Sequence, residues 1–347
     1  MKKNYPFKVM LLICLLCFFT ACGSNEQQKK EEPKAPTQTS ESTPLKKVTV
    51  AQFGHIFVYM PLYVAKQKGF FADEGLDVKF VNTGGDEKTF AALVSHSAQF
   101  GVSDPIFTAI ARQRGQGGKV VASIVNGVPL WGVTKKDIPK ITDPAMFSGL
   151  RIATYPAPST TYTLMKDAIE RGAKKKTPPG KIVQGAFGTL LAMLESDAAD
   201  IAVVIEPAVS IAVSKGMKVV YSLPEVYGDF AFTGLMVTDE YHEKHPEMIQ
   251  RMVNALVQAA RYIREDIEGA TEIAAKEFPQ LSQQVCKNAL ERMVTSNTVP
   301  KTLKLSKEAW DKAVELRVRA GDLKPEPDIY EKNVDNSFVE KAEKDLH

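Results

Sequence analysis

Few residues in this sequence could carry covalent or acid–base chemistry, and their spacing assembles no catalytic centre. The five histidines stand at positions 55, 96, 242, 245 and 347. His96, His242 and His245 fall on polar helical segments and His347 is the last residue, so only His55 lies in a suggestive loop. There is no Gly-x-Ser-x-Gly elbow and no His-Glu-x-x-His zinc pattern. No Gly-Lys-Ser/Thr follows the pair Gly84-Gly85. Catalysis, a metal and a cofactor are therefore not called for. The remaining candidates suit binding. Phe53, His55 and Tyr59 follow the first apolar run, Thr83 and Gly84 the second, and Ser103 and Asp104 the third. Trp131 sits at a crossing between two halves of the chain, Ser159 and Thr160 open a helix, and Glu206 and Phe230 complete the set. Aromatic faces attract flat or cationic ligands. A buried carboxylate needs a donor on the ligand or a neighbouring base, and no Lys or Arg stands among these strand-end positions. Together these features favour an amino-substituted heterocycle over a simple oxyanion. Other readings stay open: each aromatic can pack between loop and helix, and Glu206 can close a strand and face away. Ser159 and Thr160 are equally an ordinary N-cap or an anion site at a helix N-terminus.

These positions follow from the elements around them. Val48-Thr49-Val50-Ala51 is a short β-branched run bounded by loop residues, and reads as a buried strand. Pro61 presets a helix start and Gly69 a stop. Asp77–Val81 is the next strand, so the unit is a parallel βαβ. Ligands of open α/β sheets sit beyond the carboxyl ends of such strands, where the long loop from Gln52 to Met60 lies. Further strands are predicted at Gln99–Val102, Val120–Val125, Leu150–Thr154, Met217–Tyr221 and Phe230–Val237. Leu93-Val94-Ser95-His96-Ser97-Ala98-Gln99-Phe100-Gly101-Val102 is echoed by Leu194-Glu195-Ser196-Asp197-Ala198-Ala199-Asp200-Ile201-Ala202-Val203. Each run leads to an acid and a proline, Asp104-Pro105 and Glu206-Pro207, which suggests two similar lobes with an acid on each cleft wall. From Ile249 the apolar residues follow the helical period, with helices near residues 267–277, 282–294 and 306–320. Trp310 reads as core. The end, from about Lys324, reads as polar and loosely held, with Tyr330 and Phe338 able to dock.

Ala65-Lys66-Gln67-Lys68-Gly69-Phe70-Phe71-Ala72-Asp73-Glu74-Gly75-Leu76-Asp77-Val78 resembles the opening of substrate-binding proteins of ABC importers, of the nitrate/sulfonate/taurine and thiamine-pyrimidine type. The resemblance runs from about Val48 to about Phe278. It implies an α/β, two-lobed periplasmic-binding-protein-like fold (type II) with the ligand in the cleft, and an ABC permease with its ATPase as partners. Lobe 1 would comprise residues 48–130 and 230–347, and lobe 2 residues 131–229. The subgroups share this opening, so thiamine-pyrimidine precursors and alkylsulfonate, taurine or nitrate anions all remain open, as does a sensing surface module not coupled to transport. The fold also resembles that of fungal thiamine-pyrimidine synthases, but their cysteine-rich iron motif is absent here, which argues against an enzyme.

The start of the chain gives an address. Lys2, Lys3 and Lys8 precede the apolar run from Val9 to Phe19, far short of the roughly 20 residues of a membrane span. Phe19-Thr20-Ala21-Cys22 resembles a bacterial lipobox, with Phe where Leu is commonest; an ordinary signal peptide cleaved near Ala21 is the alternative. Residues 1–21 would be the signal peptide. Cys22, acylated, would anchor the protein in the lipid bilayer on the outer face of the cytoplasmic membrane. Residues 22–47 hold almost no apolar side chains and read as a disordered tether reaching roughly 25–30 Å. The signal carries three of the 44 basic residues and none of the 41 acids, so the mature chain is formally neutral and nothing points to nucleic acid. Cys286 alone remains after the signal and Cys22, and reads as a small core residue. A single small cleft implies a monomer.

Overall fold

Short β-branched runs build two sheets of like topology in this protein, seen in a computed structural model that describes residues 44–346 apart from Pro158. The expected signal peptide, Cys22 and most of the expected tether lie outside the described residues. The first sheet holds β1 (Lys46–Gln52), β2 (Leu76–Asn82), β3 (Phe100–Ser103), β4 (Gly118–Asn126) and β10 (Ala231–Thr238), in the order β2-β1-β3-β10-β4. β1 begins at Lys46, two residues inside the stretch read as tether. The second sheet holds β5 (Trp131–Thr134), β6 (Arg151–Thr154), β7 (Lys181–Gln184), β8 (Ile201–Val204) and β9 (Lys218–Ser222), in the order β7-β6-β8-β5-β9.

The two orders are one pattern used twice. In each sheet the first three strands are parallel and the fourth is antiparallel to both its neighbours. That fourth strand, β10 or β5, is the one that has just arrived from the other sheet. The sequence echo is the local trace of this repeat. Helices α3 (Asp86–Val94) and α6 (Leu190–Glu195) both end at a residue in the left-handed region, His96 (φ 57°) and Asp197 (φ 58°). Each turn then feeds β3 or β8. The two crossings run side by side. Asn126 donates to the Asp229 carboxylate at 2.7 Å, Gly127 N–H to the Phe230 carbonyl at 3.0 Å, and Leu223 N–H to the Leu130 carbonyl at 3.1 Å.

The other helices are α1 (Met60–Gln67), α2 (Phe70–Asp73), α4 (Phe107–Arg112), α5 (Thr160–Ala173), α7 (Ala208–Ser214), α8 (Leu223–Tyr227) and α9 (Asp239–Lys244), then α10 (Pro246–Glu265), α11 (Ile267–Glu277), α12 (Gln283–Thr295) and α13 (Lys307–Ala320). Pro61 sits in the first turn of α1, and Gly69 follows the helix at φ 82°, a backbone that favours glycine. The apolar stripe Ile249, Met252, Val253, Leu256, Ala260 and Ile263 of α10 is fully buried, as its period predicts, and Cys286 and Trp310 are core. The chain end differs from expectation. Two short helices, α14 (Ile329–Asn333) and α15 (Ser337–Asp345), follow α13; Phe338, Val339 and Ala342 are buried, and α15 packs on α10. The Tyr330 hydroxyl donates to the Leu305 carbonyl at 2.6 Å. α12 packs against α7 and α13 against α5, so the C-terminal helices touch elements of both sheets. Among the described residues no helix is long and apolar enough to cross a membrane.

Candidate functional site

The loops beyond the carboxyl ends of the parallel strands meet around a cavity of about 430 Å³. From the first lobe come Phe53, Ile56, Val58 and Tyr59 after β1, Gly84, Gly85 and Asp86 at the head of α3, Asp104 and Phe107 after β3, and Phe232 and Thr233 on β10. From the second come Tyr155, Ser159, Thr160 and Thr161 after β6, Phe187 after β7 and Ile205 after β8. Arg317 enters from α13. The turn before α3 brings backbone to the wall: Gly84 has φ +75° and a Cβ there would meet nothing within 4 Å. Six aromatic rings, from both lobes, face the space. Tyr155 and Phe187 stack, with centroids 5.2 Å apart and planes at 26°. Burial raises the phenols of Tyr59 and, to about 12, of Tyr155, so both are neutral donors at physiological pH.

The acids of the cleft are not equivalent. Asp104 is 7% exposed and its Oδ2 accepts from Arg317 Nη2 at 2.6 Å; its Oδ1 accepts from Ile106 N–H at 2.9 Å. Arg317 also reaches Asp322 at 3.1 Å and the Thr160 hydroxyl at 3.4 Å. Glu206 is fully buried; it accepts from Arg292 Nε at 2.7 Å and from the Ser210 N–H and hydroxyl, each at 3.0 Å. Burial raises the Glu206 pKa against those partners. Asp86 differs: it is half-buried, accepts from the Asp104 N–H at 3.1 Å, and forms no ion pair among the described residues. Burial, then the Asp104 carboxylate, push its pKa up to about 6. Asp86 is the first residue of α3, and Gly85 precedes it as N-cap.

The structure divides the expected contact residues. Phe53, Tyr59, Gly84, Asp104, Ser159 and Thr160 line the cavity, although the Ser159 hydroxyl also caps α5 by accepting from Tyr162 N–H at 3.2 Å. His55 and Glu206 line a second cavity of about 310 Å³ instead. His55 packs on Tyr63 and Phe278, with Glu277 3.4 Å away. Four positions lie elsewhere. The Thr83 hydroxyl is spent on the turn itself, bonded to Thr89 at 2.6 Å and to the Gln52 carbonyl at 3.1 Å. Ser103 is wholly buried within β3. Trp131 is 3% exposed and packs in the core of the second sheet, because the alternation of β5 turns it inward. Phe230 is 3% exposed at the crossing; a register shift in β10 between Ala231 and Thr233 presents Phe232 and Thr233 to the cavity instead. The strand ends carry no Lys or Arg, but of the two ways to satisfy a buried acid the structure uses the neighbouring base. Arg317 and Arg292, from helices far along the chain, neutralise Asp104 and Glu206.

Solved structures and relatives share this architecture. The periplasmic nitrate-binding protein NrtA of Synechocystis PCC 6803 superposes with a TM-score of 0.66 at 16% identity, over 87% of this chain and 89% of that one. The periplasmic aliphatic sulphonate binding protein SsuA of Escherichia coli gives 0.66 at 16% identity, over 84% and 92%. The desulfurization enzyme DSZB has the same fold, at a TM-score of 0.62 and 14% identity, over 86% and 100%, so fold alone does not separate binding from catalysis. In sequence, the provisionally named binding protein YtlA of Bacillus subtilis (strain 168) is 24% identical over 310 residues, 86% of this chain and 90% of that protein. The sequence profile described as NMT1/THI5 like matches residues 56–270, more than half of the chain and nearly all of both sheets, and the chain belongs to that family.

Proposed function

We propose that this chain is the solute-binding lipoprotein of an ABC importer. It is exported, held at the outer face of the cytoplasmic membrane by acylated Cys22, and delivers its solute to the permease and ATPase as a monomer. The solute is a flat, amino-substituted heterocycle of the thiamine-pyrimidine precursor kind. One observation carries the ligand class: six aromatic rings from both lobes line a cavity in which Asp86 forms no ion pair among the described residues, while Asp104 is held by Arg317 and the exposed Glu87 lies 4.0 Å from Arg114. The rings supply stacking faces, and the carboxylate supplies an acceptor for an amino group or a ring N–H⁺. Arg317, the cavity's guanidinium, is already bonded to Asp104 and Asp322, so it is poorly placed to greet an oxyanion, and the lining's other cation, Lys88, is exposed on α3 beside Asp86 and Glu87. The names of NrtA and SsuA point the other way, to nitrate and sulfonate. The N-terminal turn of α5, with Ser159, Thr160 and Thr161 at the wall, is the observation that favours that second reading. Phe53, Tyr59, Gly84, Asp104, Ser159 and Thr160 would be contacts, joined by Asp86, Phe107, Tyr155, Phe187 and Phe232. No catalytic role is assigned.

A ligand that touches both walls favours the closed arrangement, with the paired crossings at residues 127–130 and 228–230 as the hinge. A thermal-shift panel of aminopyrimidines, flavin-like compounds, alkylsulfonates, taurine and nitrate tests the ligand class. A ligand at a thousand times its Kd stabilises by about 4 kcal/mol. Aminopyrimidines should raise the transition; a shift with only sulfonates or nitrate would reverse the assignment. The same ligand should reduce the radius of gyration in solution scattering, and an unchanged value at saturation would exclude closure. Loss of uptake on gene deletion separates an importer component from a sensor.

A further inference from the structure

The second cavity lies across the Tyr155–Phe187 stack from the first. Ile56, Tyr155, Phe187 and Ile205 line both. The rest of its wall is mostly apolar, with Leu191 and Ile211 on one side and Phe278 and Leu281 on the other. Its charged groups are occupied: Glu206 by Arg292 and Ser210, and His55 by its packing on Tyr63 and Phe278 with Glu277 beside it. Nothing there calls for an ionic group. At the junction, Phe187 is 55% exposed, the most exposed of the large apolar side chains described. Its ring stands open to water at a position that lines both cavities. Each cavity lies toward the lower end of the range of about 300–1,000 Å³ for drug-sized ligands, so each has room for at least one ring.

We propose that the cleft is two-chambered and that its solute has two joined parts. A flat amino-bearing head occupies the first chamber beside Asp86. An apolar, ring-sized arm occupies the second, and Phe187 covers the link between them. The head rests on the function proposed above; the arm rests on the second cavity alone. Calorimetric titration with an aminopyrimidine and with its benzyl-substituted derivative compares the two parts. The benzyl derivative should bind about tenfold more tightly or better, as burial of a phenyl ring implies. Ala208→Phe and Leu191→Trp each place a ring in the second chamber from a different helix, and should bring the ratio of the two Kd values to about one. Equal affinities in the native protein, or a preference that survives both variants, would overturn the proposal. If neither compound binds, the head assignment fails by itself. The second chamber is then judged with toluene alone, by saturation-transfer NMR: a signal in the native protein that both variants abolish sustains it, and no signal, or one unchanged in the variants, overturns it.

Discussion

Arg317→Met should destabilise the protein by about 3–5 kcal/mol, the cost of leaving a buried charge without its partner. Arg317 is 4% exposed, and its guanidinium lies 2.6 Å from the Asp104 carboxylate, which is itself 7% exposed. The same group reaches Thr160 at the head of α5 and Asp322 beyond α13. One side chain from the C-terminal helices thus binds the end of β3 to the first turn of a helix on the opposite wall. Methionine preserves much of the volume and none of the charge. Asp104 would then stand buried beside Asp86, with its Ile106 and Asp86 contacts intact but no cation. The double variant Arg317→Met/Asp104→Asn should recover most of the loss, since Asn keeps the acceptor for Ile106 N–H and removes the charge. Chemical denaturation of the three proteins reads this directly. A single variant within about 1 kcal/mol of the native protein, or a double variant no better than the single, would show that the pair does not hold the lobes.

Much of this architecture was legible because it is periodic. The β-branched runs, the α10 stripe and the turn at Gly69 state their structure locally, and the echo between residues 93–102 and 194–203 is the visible part of a shared sheet topology; His96, read as helical, instead turns the chain after α3. β7 was not legible: its four residues are half-buried or exposed and carry no strong pattern. The end of the chain read as loose because α14 and α15 are short and mostly polar, and only the surface they meet makes them helices. For the cavity, the strand-end rule reached Phe53, Tyr59, Gly84, Asp104, Ser159 and Thr160 but missed Asp86, Phe232 and Arg317. Thr83 lost to Asp86 because a hydroxyl in a tight turn bonds its own backbone, here the Gly85 carbonyl at 3.1 Å. Phe230 lost to Phe232 because an irregular register in β10 is invisible to a period of two. The two arginines were out of reach altogether: Arg317 lies 213 residues from Asp104 and Arg292 lies 86 from Glu206. Helical periodicity says which face is buried, not which acid it will meet. The carboxylate proposed to meet an amino ligand is thus Asp86, since Asp104 and Glu206 are held by arginines.

That carboxylate should show itself in two opposite effects. Asp86→Asn should stabilise the unliganded protein and weaken the amino ligand. The Asp86 pKa is raised from 3.8 to about 6, first by burial and second by Asp104, while the Asp104 N–H and Arg317 oppose the shift. A carboxyl raised in the folded state binds its proton more readily there than when unfolded. The ionised form therefore costs stability above about pH 6, and the unliganded protein should gain stability as pH falls through 6 toward 4. Two units correspond to about 3 kcal/mol in full burial, and the half-buried position reduces this to about 1–2 kcal/mol. Asp86→Asn should show that gain at pH 7.5 and lose the pH dependence. The ligand follows the other sign. An amino group or ring N–H⁺ needs the ionised carboxylate, so affinity should fall about tenfold per unit once pH is below the pKa. The other charged groups near Asp86 are Asp104 and Arg317, held by their mutual contact, and the exposed Glu87 and Lys88 of α3, which also line the cavity and are present in the native protein and the variant alike. Tyr59 titrates far above this window. An aminopyrimidine titrates in the same range itself, but does so with either protein, so the difference between the native and Asp86→Asn profiles isolates the side chain. Calorimetry at pH 5.0, 6.0 and 7.5 should give a native affinity that rises with pH and a variant affinity that is at least about tenfold weaker at the top of the range. A variant that is more stable yet binds as well as the native protein would leave the buried charge real and remove Asp86 from the ligand.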